Sequence, residues 1–199
     1  MRIGIFGGTF DPVHIGHIKI AEHAKEEFCL DKIIFVPNAN PPHKKEKHIE
    51  DYSHRFRMLE LVTKDNDSFS VSDYESEDGK YYYSLYTMRY FRELYGEDTY
   101  FIIGGDSLLT IDKWYEYETL LKENKFIVFL RNDSEKFYKA VDKYRELGAE
   151  IYVASMKEIE VSSTGIRRGI NDEKIKTLLE DAVYDYIVEN DLYGGSYDS

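Results

Sequence analysis

The sequence predicts an α/β protein in which a doubly wound, mostly parallel sheet carries helices on both faces. Three observations lead to this fold class. Short apolar runs alternate with amphipathic segments of helical period, and the alternation continues along nearly the whole chain. The length of 199 residues suits one domain with a small appendage. In such sheets ligands bind beyond the carboxyl ends of the strands, so the loops that follow strands are candidate sites.

Six runs have the character of buried strands, because each is a short block rich in β-branched and aromatic residues. In chain order they are Arg2–Phe6, Lys32–Val36, Phe69–Tyr74, Thr99–Ile103, Lys125–Leu130 and Glu150–Ala154. Because helical segments separate them, neighbouring strands are expected to run parallel.

The segments between the strands repeat apolar residues every three or four positions, which predicts helices packed on the sheet. They are His14–Phe28, Ser53–Lys64, Ser84–Tyr95, Lys113–Glu123, Glu135–Leu147 and Ile175–Glu189. We expect a single domain over residues 1–193, with a helical C-terminal part over about 162–193 and a flexible tail at 194–199.

Composition and charge exclude several classes of protein. There are 38 Asp plus Glu against 26 Lys plus Arg, a net charge of −12, which disfavours nucleic acid and anionic membranes as partners. The single cysteine, Cys29, cannot form an internal disulfide, so a reducing, cytoplasmic compartment is expected. The apolar runs are far shorter than the roughly 20 residues of a membrane span, and the N-terminus does not resemble an export leader.

The loop after the first strand reads Gly7-Gly8-Thr9-Phe10-Asp11-Pro12-Val13-His14-Ile15-Gly16-His17. The paired glycines let backbone N–H groups approach a ligand, and the helix that follows offers its positive end to phosphate. His14 and His17 are three residues apart in the first helical turn, so their rings point to one side. Gly16 between them leaves room for a flat ring or a ribose.

Two other interpretations of this loop are weaker. Zinc proteases place their histidines four residues apart with a neighbouring glutamate, and no third ligand is evident here, so no metal held by the protein is expected. Gly4, Gly7 and Gly8 do not form the G-x-G-x-x-G pattern, which disfavours hydride transfer. Helix capping beside an ordinary turn explains either histidine alone but not the eleven residues together.

The stretch from Gly7 to His17 resembles the T/H-x-G-H signature of the nucleotidyltransferase superfamily, in the form typical of bacterial nicotinate-nucleotide adenylyltransferases. The resemblance implies a Rossmann-like fold and the transfer of AMP from ATP to nicotinate mononucleotide. It further implies direct in-line attack, deamido-NAD and pyrophosphate as products, and Mg²⁺ that enters on the phosphates of ATP. It covers nearly the whole chain and ends with a pattern over Val183–Tyr193.

Two further stretches resemble phosphate-binding motifs of this family. Val36-Pro37-Asn38-Ala39-Asn40-Pro41-Pro42-His43-Lys44 matches its P-x-x-x-P-P-H-K loop, and Val161–Arg167 matches I-S-S-T-x-I-R. By the resemblance, the catalytic residues are His14, His17, Lys44 and Arg167. The ATP site combines these histidines and the arginine with Gly7, Gly8, Thr9, Phe10, Gly16, Ser162, Ser163 and Thr164.

The acceptor site is expected around the only tryptophan, Trp114, whose indole offers a stacking platform. The resemblance assigns this platform to the pyridine ring, Asp106 to the ribose, and the helix start at Tyr83–Thr87 to the pyridine carboxylate. In that helix start Ser84 replaces the usual Thr, and Tyr86 stands where Asp is usual. The predicted acceptor-binding residues are Asn40, His43, Lys44, Tyr83, Ser84, Gly104, Asp106, Trp114, Tyr115 and Arg131.

Alternatives remain open at this point. The acceptor could be nicotinamide mononucleotide or phosphopantetheine, although the second is disfavoured by the Pro-Pro-His-Lys loop and the Lys113-Trp114 pair. A non-catalytic nucleotide sensor is the alternative from a different class. The expected partners are ATP and nicotinate mononucleotide, without nucleic acid or membrane, and a homo-oligomer is left open. Residues 168–179 depart from the family pattern.

Overall fold

The computed structural model describes residues 1–40, 49–77, 79–130, 134–157 and 161–194. Its strands are β1 (Ile3–Gly8), β2 (Lys32–Pro37), β3 (Phe69–Val71), β4 (Thr99–Gly104), β5 (Lys125–Leu130) and β6 (Glu150–Lys157). Its helices are α1 (Ile15–Glu27), α2 (Tyr52–Thr63), α3 (Ser84–Tyr95), α4 (Gly105–Leu108), α5 (Tyr117–Glu123), α6 (Glu135–Glu146), α7 (Ser163–Arg168), α8 (Glu173–Lys176) and α9 (Asp181–Glu189), with a 3₁₀ turn at Ile111–Lys113.

The strands form one sheet in the order β3-β2-β1-β4-β5-β6, and every neighbouring pair is parallel. The chain runs outward from β1 to β3, returns to β4 beside β1, and continues outward to β6. The order therefore reverses between β1 and β4, and ligand sites are expected at the carboxyl ends of these two strands. The predicted doubly wound α/β fold is confirmed.

Each face of the sheet is covered by its own hydrophobic core, because successive strand residues point to opposite sides. Ile3 and Ile5 of β1 pack with residues of α3, α5 and α6 on one face. Phe6 packs with residues of α1, α2 and α9 on the other. Among the residues that the structure describes, no helix has the length and apolar character needed to cross a bilayer.

Two predicted helices are wrong in extent. The helix predicted at Lys113–Glu123 begins only at Tyr117, because Trp114 is extended and Glu116 has a φ of 46° in the left-handed region. The helix predicted at Ile175–Glu189 is interrupted between α8 and α9. There the carbonyl of Leu178 accepts a 3.1 Å hydrogen bond from the N–H of Ile15, which fixes the interruption against the start of α1.

The strand predicted at Phe69–Tyr74 is shorter than expected. It ends at Val71, and residues 72–77 form a loop at the carboxyl end of β3. The short helix α4, which follows β4 directly, was not predicted, because a single turn contains too few residues to establish a hydrophobic period.

Candidate active site

His14, the N-cap of α1, and His17, in the first turn of that helix, lie face to face. Their ring centroids are 3.7 Å apart and the planes differ by 20°. The N–H of His17 donates to the carbonyl of His14 at 2.9 Å, and the N–H of His14 donates to Nδ1 of His17 at 3.2 Å. Because Nδ1 of His17 accepts this bond, the neutral ring has its proton on Nε2, which makes Nε2 a donor.

Contact with the aromatic ring of Phe10 fixes the plane of the His17 ring. The ring of Phe10 meets it edge-on, with centroids 5.0 Å apart and planes at 71°. Phe10 adopts a φ of 51°, a left-handed conformation that costs a side-chain-bearing residue roughly 1–3 kcal/mol, and its ring lies over Gly8. A Cβ at Gly8 would lie 2.9 Å from Cζ of Phe10, so glycine is required there to leave room for the Phe10 ring.

Side chains of the protein fill the space that a side chain at Gly16 would need. A Cβ at this position would lie 3.0 Å from Nδ1 of His14 and 3.3 Å from Cγ1 of Val161. Gly16 thus allows the His14 ring to lie flat against α1. Contact between Gly16 and ATP stays a prediction.

Asp11, in the β1–α1 loop, joins the N-terminal motif to the C-terminal part of the chain. Its carboxylate is buried, and Oδ1 accepts hydrogen bonds from the hydroxyl of Tyr193 at 2.8 Å and from the N–H of Glu50 at 3.3 Å. Burial and the neighbouring Asp11 carboxylate raise the pKa of Tyr193 far above its ordinary value, so the phenol remains a donor. Nη1 of Arg167 lies 3.4 Å from Oδ2 and donates to the Asp11 carbonyl at 2.5 Å.

A buried arginine ties the loop after β1 to the loop after β2. Arg55 of α2 is 1% exposed. Its Nη1 donates to the main-chain carbonyls of Thr9 at 2.8 Å and Asn38 at 2.9 Å. Its Nε donates to the main-chain carbonyl of Glu50 at 2.8 Å. Burial lowers the pKa of Arg55, and the nearby Asp11 carboxylate opposes that shift. One side chain therefore sets the spacing of both loops.

The three predicted hydroxyls at the start of α7 each have a partner within the protein. Ser162 Oγ accepts from the N–H of Gly165 at 3.1 Å and so caps the helix. Ser163 Oγ donates to the carbonyl of Pro12 at 3.0 Å, and Thr164 Oγ1 accepts from Nη2 of Arg167 at 3.3 Å. These bonds bring Arg167 to the β1–α1 loop.

A cavity of about 310 Å³ opens at the carboxyl ends of β1 and β4. Its walls bring together two groups of predicted site residues: Gly7, Gly8 and Thr9 of the ATP site, and Tyr83, Ser84, Gly104, Trp114 and Tyr115 of the acceptor site. Trp114 is half-buried against Phe101, with centroids 6.3 Å apart, and also lines the cavity. Trp114 therefore packs against the core and also contributes to the wall of the cavity.

The start of α3 forms another wall. Tyr83 precedes the helix and makes no side-chain cap, so the positive end of a 12-residue helix faces this region without a side-chain acceptor. The ring of Tyr115 stacks on Tyr83 at 4.3 Å, and its hydroxyl lies 3.3 Å from that of Tyr86. An aromatic cluster of Tyr83, Tyr86 and Tyr115 thus lies next to Trp114.

Comparison with known proteins is consistent with this geometry. Residues 5–169 match the family described as cytidylyltransferase-like. A protein of Thermoanaerobacter sp. (strain X514) named probable nicotinate-nucleotide adenylyltransferase is 41% identical, over 97% of this chain and 94% of its own length. A protein of Moorella thermoacetica with the same name is 40% identical over 96% and 91%.

The chain belongs to the cytidylyltransferase-like family. Within it, the chain groups with the nicotinate-nucleotide adenylyltransferases, as the sequence motifs predicted. The fold agrees as well. The nicotinic acid mononucleotide adenylyltransferase of Plasmodium falciparum, solved in complex with NaAD, superposes with a TM-score of 0.80 over 99% of both chains at 21% identity.

The predicted residues His43, Lys44 and Arg131 fall outside the described residues. The amide of Asn40 donates to the carbonyls of Glu77 at 3.3 Å and Lys80 at 3.1 Å, which fixes the loop after β2 to the turn before α3.

Asp106 lies at the exposed side of α4, between two cavity-lining residues, Gly104 and Ser107. Its assignment to the ribose stays a prediction. The parts of the chain that the structure describes contain no group of three or more His, Cys, Asp or Glu side chains arranged to hold a metal ion.

Sequence reasoning missed a buried carboxyl group in the cavity wall. Glu75 is 7% exposed, and its Oε1 accepts a hydrogen bond from Thr87 Oγ1 at 2.5 Å. Burial raises the pKa of Glu75 to about 7, although hydrogen bonds from Thr87 and Asn38 act to lower it. Its place just beyond a strand was the available signal, but its burial depends on contacts with Thr87 and Asn38, which no local pattern contains.

Proposed function

We propose that the chain transfers the adenylyl group of ATP to nicotinate mononucleotide, releasing pyrophosphate and forming deamido-NAD. One observation carries the proposal: Gly7, Gly8 and Thr9 line the same cavity as Trp114. Gly7 and Gly8 are the last residues of β1 and not part of a loop, and their backbone suits an approaching phosphate. They and an aromatic platform suited to a pyridine ring are thereby placed within reach of one small ligand pair. The names of the relatives at about 40% identity support the same reaction.

The chemistry needs no nucleophile from the protein. An oxygen of the acceptor phosphate attacks the α-phosphorus of ATP in line, a new P–O bond forms, and the bond to the β-phosphate oxygen breaks with pyrophosphate as the leaving group. The protein contributes positioning and the stabilisation of charge on the phosphate oxygens. His17 suits the second task, because its Nε2–H is the donor end of a ring held by His14 and Phe10.

The leaving group requires positive charge. Arg167 lies at the β1–α1 loop, where its guanidinium contacts Asp11, and Lys44 is assigned to the same task from its motif. Mg²⁺ is assigned to the phosphates of ATP and not to a site of protein ligands. When bound there, Mg²⁺ would neutralise part of the charge on the departing pyrophosphate.

The acceptor ring is assigned to the Trp114 side of the cavity. Stacking on the indole would hold the pyridine, and the positive end of α3 at Ser84 suits a ring carboxylate. Lys113, also in the wall, adds a cation near that carboxylate. Nicotinate rather than nicotinamide is therefore the preferred acceptor in this proposal.

Pyrophosphate release from ATP and Mg²⁺, measured with each acceptor in turn, tests the proposal. Nicotinate mononucleotide should support the fastest turnover, ahead of nicotinamide mononucleotide, and phosphopantetheine should support none above background. Release with phosphopantetheine alone would overturn the acceptor assignment. If none of the three acceptors supports pyrophosphate release and the protein still binds ATP, the result would instead favour a nucleotide sensor.

The remaining assignments follow from composition. The single cysteine and the net charge of −12 support a cytoplasmic enzyme that acts on small molecules and binds no nucleic acid.

A further inference from the structure

The buried carboxyl group of Glu75 takes no part in the reaction described above, yet it lines the cavity assigned to the acceptor. It follows β3 and is held from two sides, by Thr87 of α3 at 2.5 Å and by the side chain of Asn38 after β2. The carbonyl of Glu75 also accepts from the N–H of Ala39 at 3.0 Å. The carboxyl group is thus fixed in the wall by both its side chain and its main chain.

Among the described residues, no basic side chain forms an ion pair with Glu75. Arg55, the nearby cation of α2, donates to three main-chain carbonyls. Tyr52 of α2 and Tyr74 of its own segment are phenols whose pKa is raised, mainly by burial, and Asp73 is a further acid close to Tyr52. Lys113 faces the same cavity from the 3₁₀ turn. Burial together with two hydrogen bonds accounts for the raised pKa of Glu75.

A second acceptor atom adjoins this carboxyl group. Oδ1 of Asn38, another lining residue, is buried and has no hydrogen-bond partner among the described residues. These oxygen acceptors lie beside the start of α3, because Thr87 Oγ1, which donates to Glu75, is also 3.4 Å from the carbonyl of Tyr83. An anionic ring substituent placed there is favoured by the positive end of the helix and repelled by an ionised Glu75.

We propose that Glu75 is a specificity-determining residue, whose protonation decides how well the cavity accepts an acceptor with a ring carboxylate. The inference rests on the proposed function. A ligand that fills this cavity of about 310 Å³ lies against the wall that contains Glu75, and salt screens a buried charge much less than an exposed one, so the two carboxylates interact. When Glu75 is neutral, the cavity can accept the ring carboxylate of nicotinate mononucleotide. When Glu75 is ionised, its charge repels that carboxylate, and the uncharged carboxamide of nicotinamide mononucleotide is favoured.

The test is the ratio of the KM for nicotinate mononucleotide to the KM for nicotinamide mononucleotide, measured across the pKa of about 7. The phosphate is common to both acceptors, so its own titration cancels in the ratio. In the wild type the ratio should rise by about ten-fold between about pH 6 and pH 8.5, as expected for two like charges in a partly buried site. In Glu75→Gln it should stay at the low-pH value throughout.

Two other variants sharpen the result. Thr87→Val removes a hydrogen bond that favours the ionised form, so the rise in the ratio should move to higher pH. Glu77→Gln alters an exposed acid two residues away, paired with Lys80, and should follow the wild type. A wild-type ratio that does not change with pH, or a Glu75→Gln protein that follows the wild type, would overturn the inference.

Binding can be followed without turnover, because Trp114 is the only tryptophan and lines the cavity. Quenching of its fluorescence by each mononucleotide gives Kd values, and their ratio should show the same dependence on pH. If no acceptor supports pyrophosphate release, the proposed function fails while this measurement still tests Glu75. If Glu75→Gln does not fold, the wild type and Thr87→Val carry the same comparison.

Discussion

The hydroxyl of Tyr193 donates a 2.8 Å hydrogen bond to Oδ1 of Asp11, a contact between residues 182 positions apart in the chain. Asp11 also contacts Arg167, so the C-terminal segment and the β1–α1 loop share one buried carboxylate. The proposed leaving-group arginine is therefore held by an anchor at residue 193.

Tyr193→Phe removes only the donor from this anchor. We expect a loss of about 1–3 kcal/mol in the free energy of unfolding, because a buried carboxylate oxygen loses a partner. The kcat should fall as well, since Arg167 is positioned through Asp11. Denaturant unfolding and steady-state kinetics measure the two effects. Tyr90→Phe, which alters a partly exposed tyrosine, is the matched control, and equal behaviour of both variants would contradict the role of the anchor.

His17→Ala should lower kcat by about a hundred- to a thousand-fold, the typical cost of one donor to developing charge. The melting temperature should change little, since the side chain is only partly buried. His23→Ala, two turns further along α1 and paired with Glu27, should retain nearly full turnover. Near-normal kcat in His17→Ala would remove this residue from the mechanism.

Trp114→Ala should raise the KM for the acceptor by about ten-fold or more, because stacking of a heterocycle on an aromatic side chain contributes on the order of 1–3 kcal/mol. The KM for ATP should change far less. Trp114→Phe retains a ring and should restore part of the affinity. An equal rise in both KM values would show that Trp114 supports the cavity as a whole and not the acceptor in particular.

Arg55→Leu should destabilise the protein by about 3 kcal/mol or more, since three carbonyls that accept from this side chain lose their donor. Arg57→Leu changes an exposed arginine of the same helix and should stay within about 0.5 kcal/mol of the wild type. The free energy of unfolding in urea distinguishes the two. A mild effect of Arg55→Leu would mean that the loops after β1 and β2 hold their spacing without it.

The raised pKa of Glu75 also predicts how stability depends on pH. Because the folded state retains the proton up to about pH 7, stability that is present below the ordinary pKa of 4.5 is lost as pH rises through 7. The upper limit of this loss is about 3 kcal/mol. Glu75→Gln lacks the titrating group, so its stability relative to the wild type should increase from about pH 5 to pH 8. A constant difference over that range would contradict the shift.

Local patterns were sufficient for much of the fold. The bounds of α3 and β5 are as predicted, because α3 repeats apolar residues with a helical period and β5 is a continuous apolar run. The segment at Lys113–Glu123 has the same period, yet Trp114 is extended in the wall of the cavity. The interruption between α8 and α9 depends on a contact between Leu178 and Ile15, which no local pattern contains.

The site was predictable to a similar degree. The spacing of His14 and His17 indicated that their rings lie together, and the stacked rings agree with it. The burial of Glu75 could not be predicted, because it arises where β2, β3 and α3 meet. Nor could the contact of Arg167 with Asp11, since it joins residues 156 positions apart.

The contact between Asp11 and Tyr193 also bears on how the protein is made. The loop after β1 leaves the ribosome early, but the donor for its carboxylate is synthesised 182 residues later. A nascent chain that stops after β6 contains all six strands but lacks α7, Arg167, α9 and the anchor. Premature termination or proteolytic trimming before residue 193 would therefore remove the donor to Asp11, and loss of α9 would also uncover one face of the sheet, so activity reports on full-length synthesis.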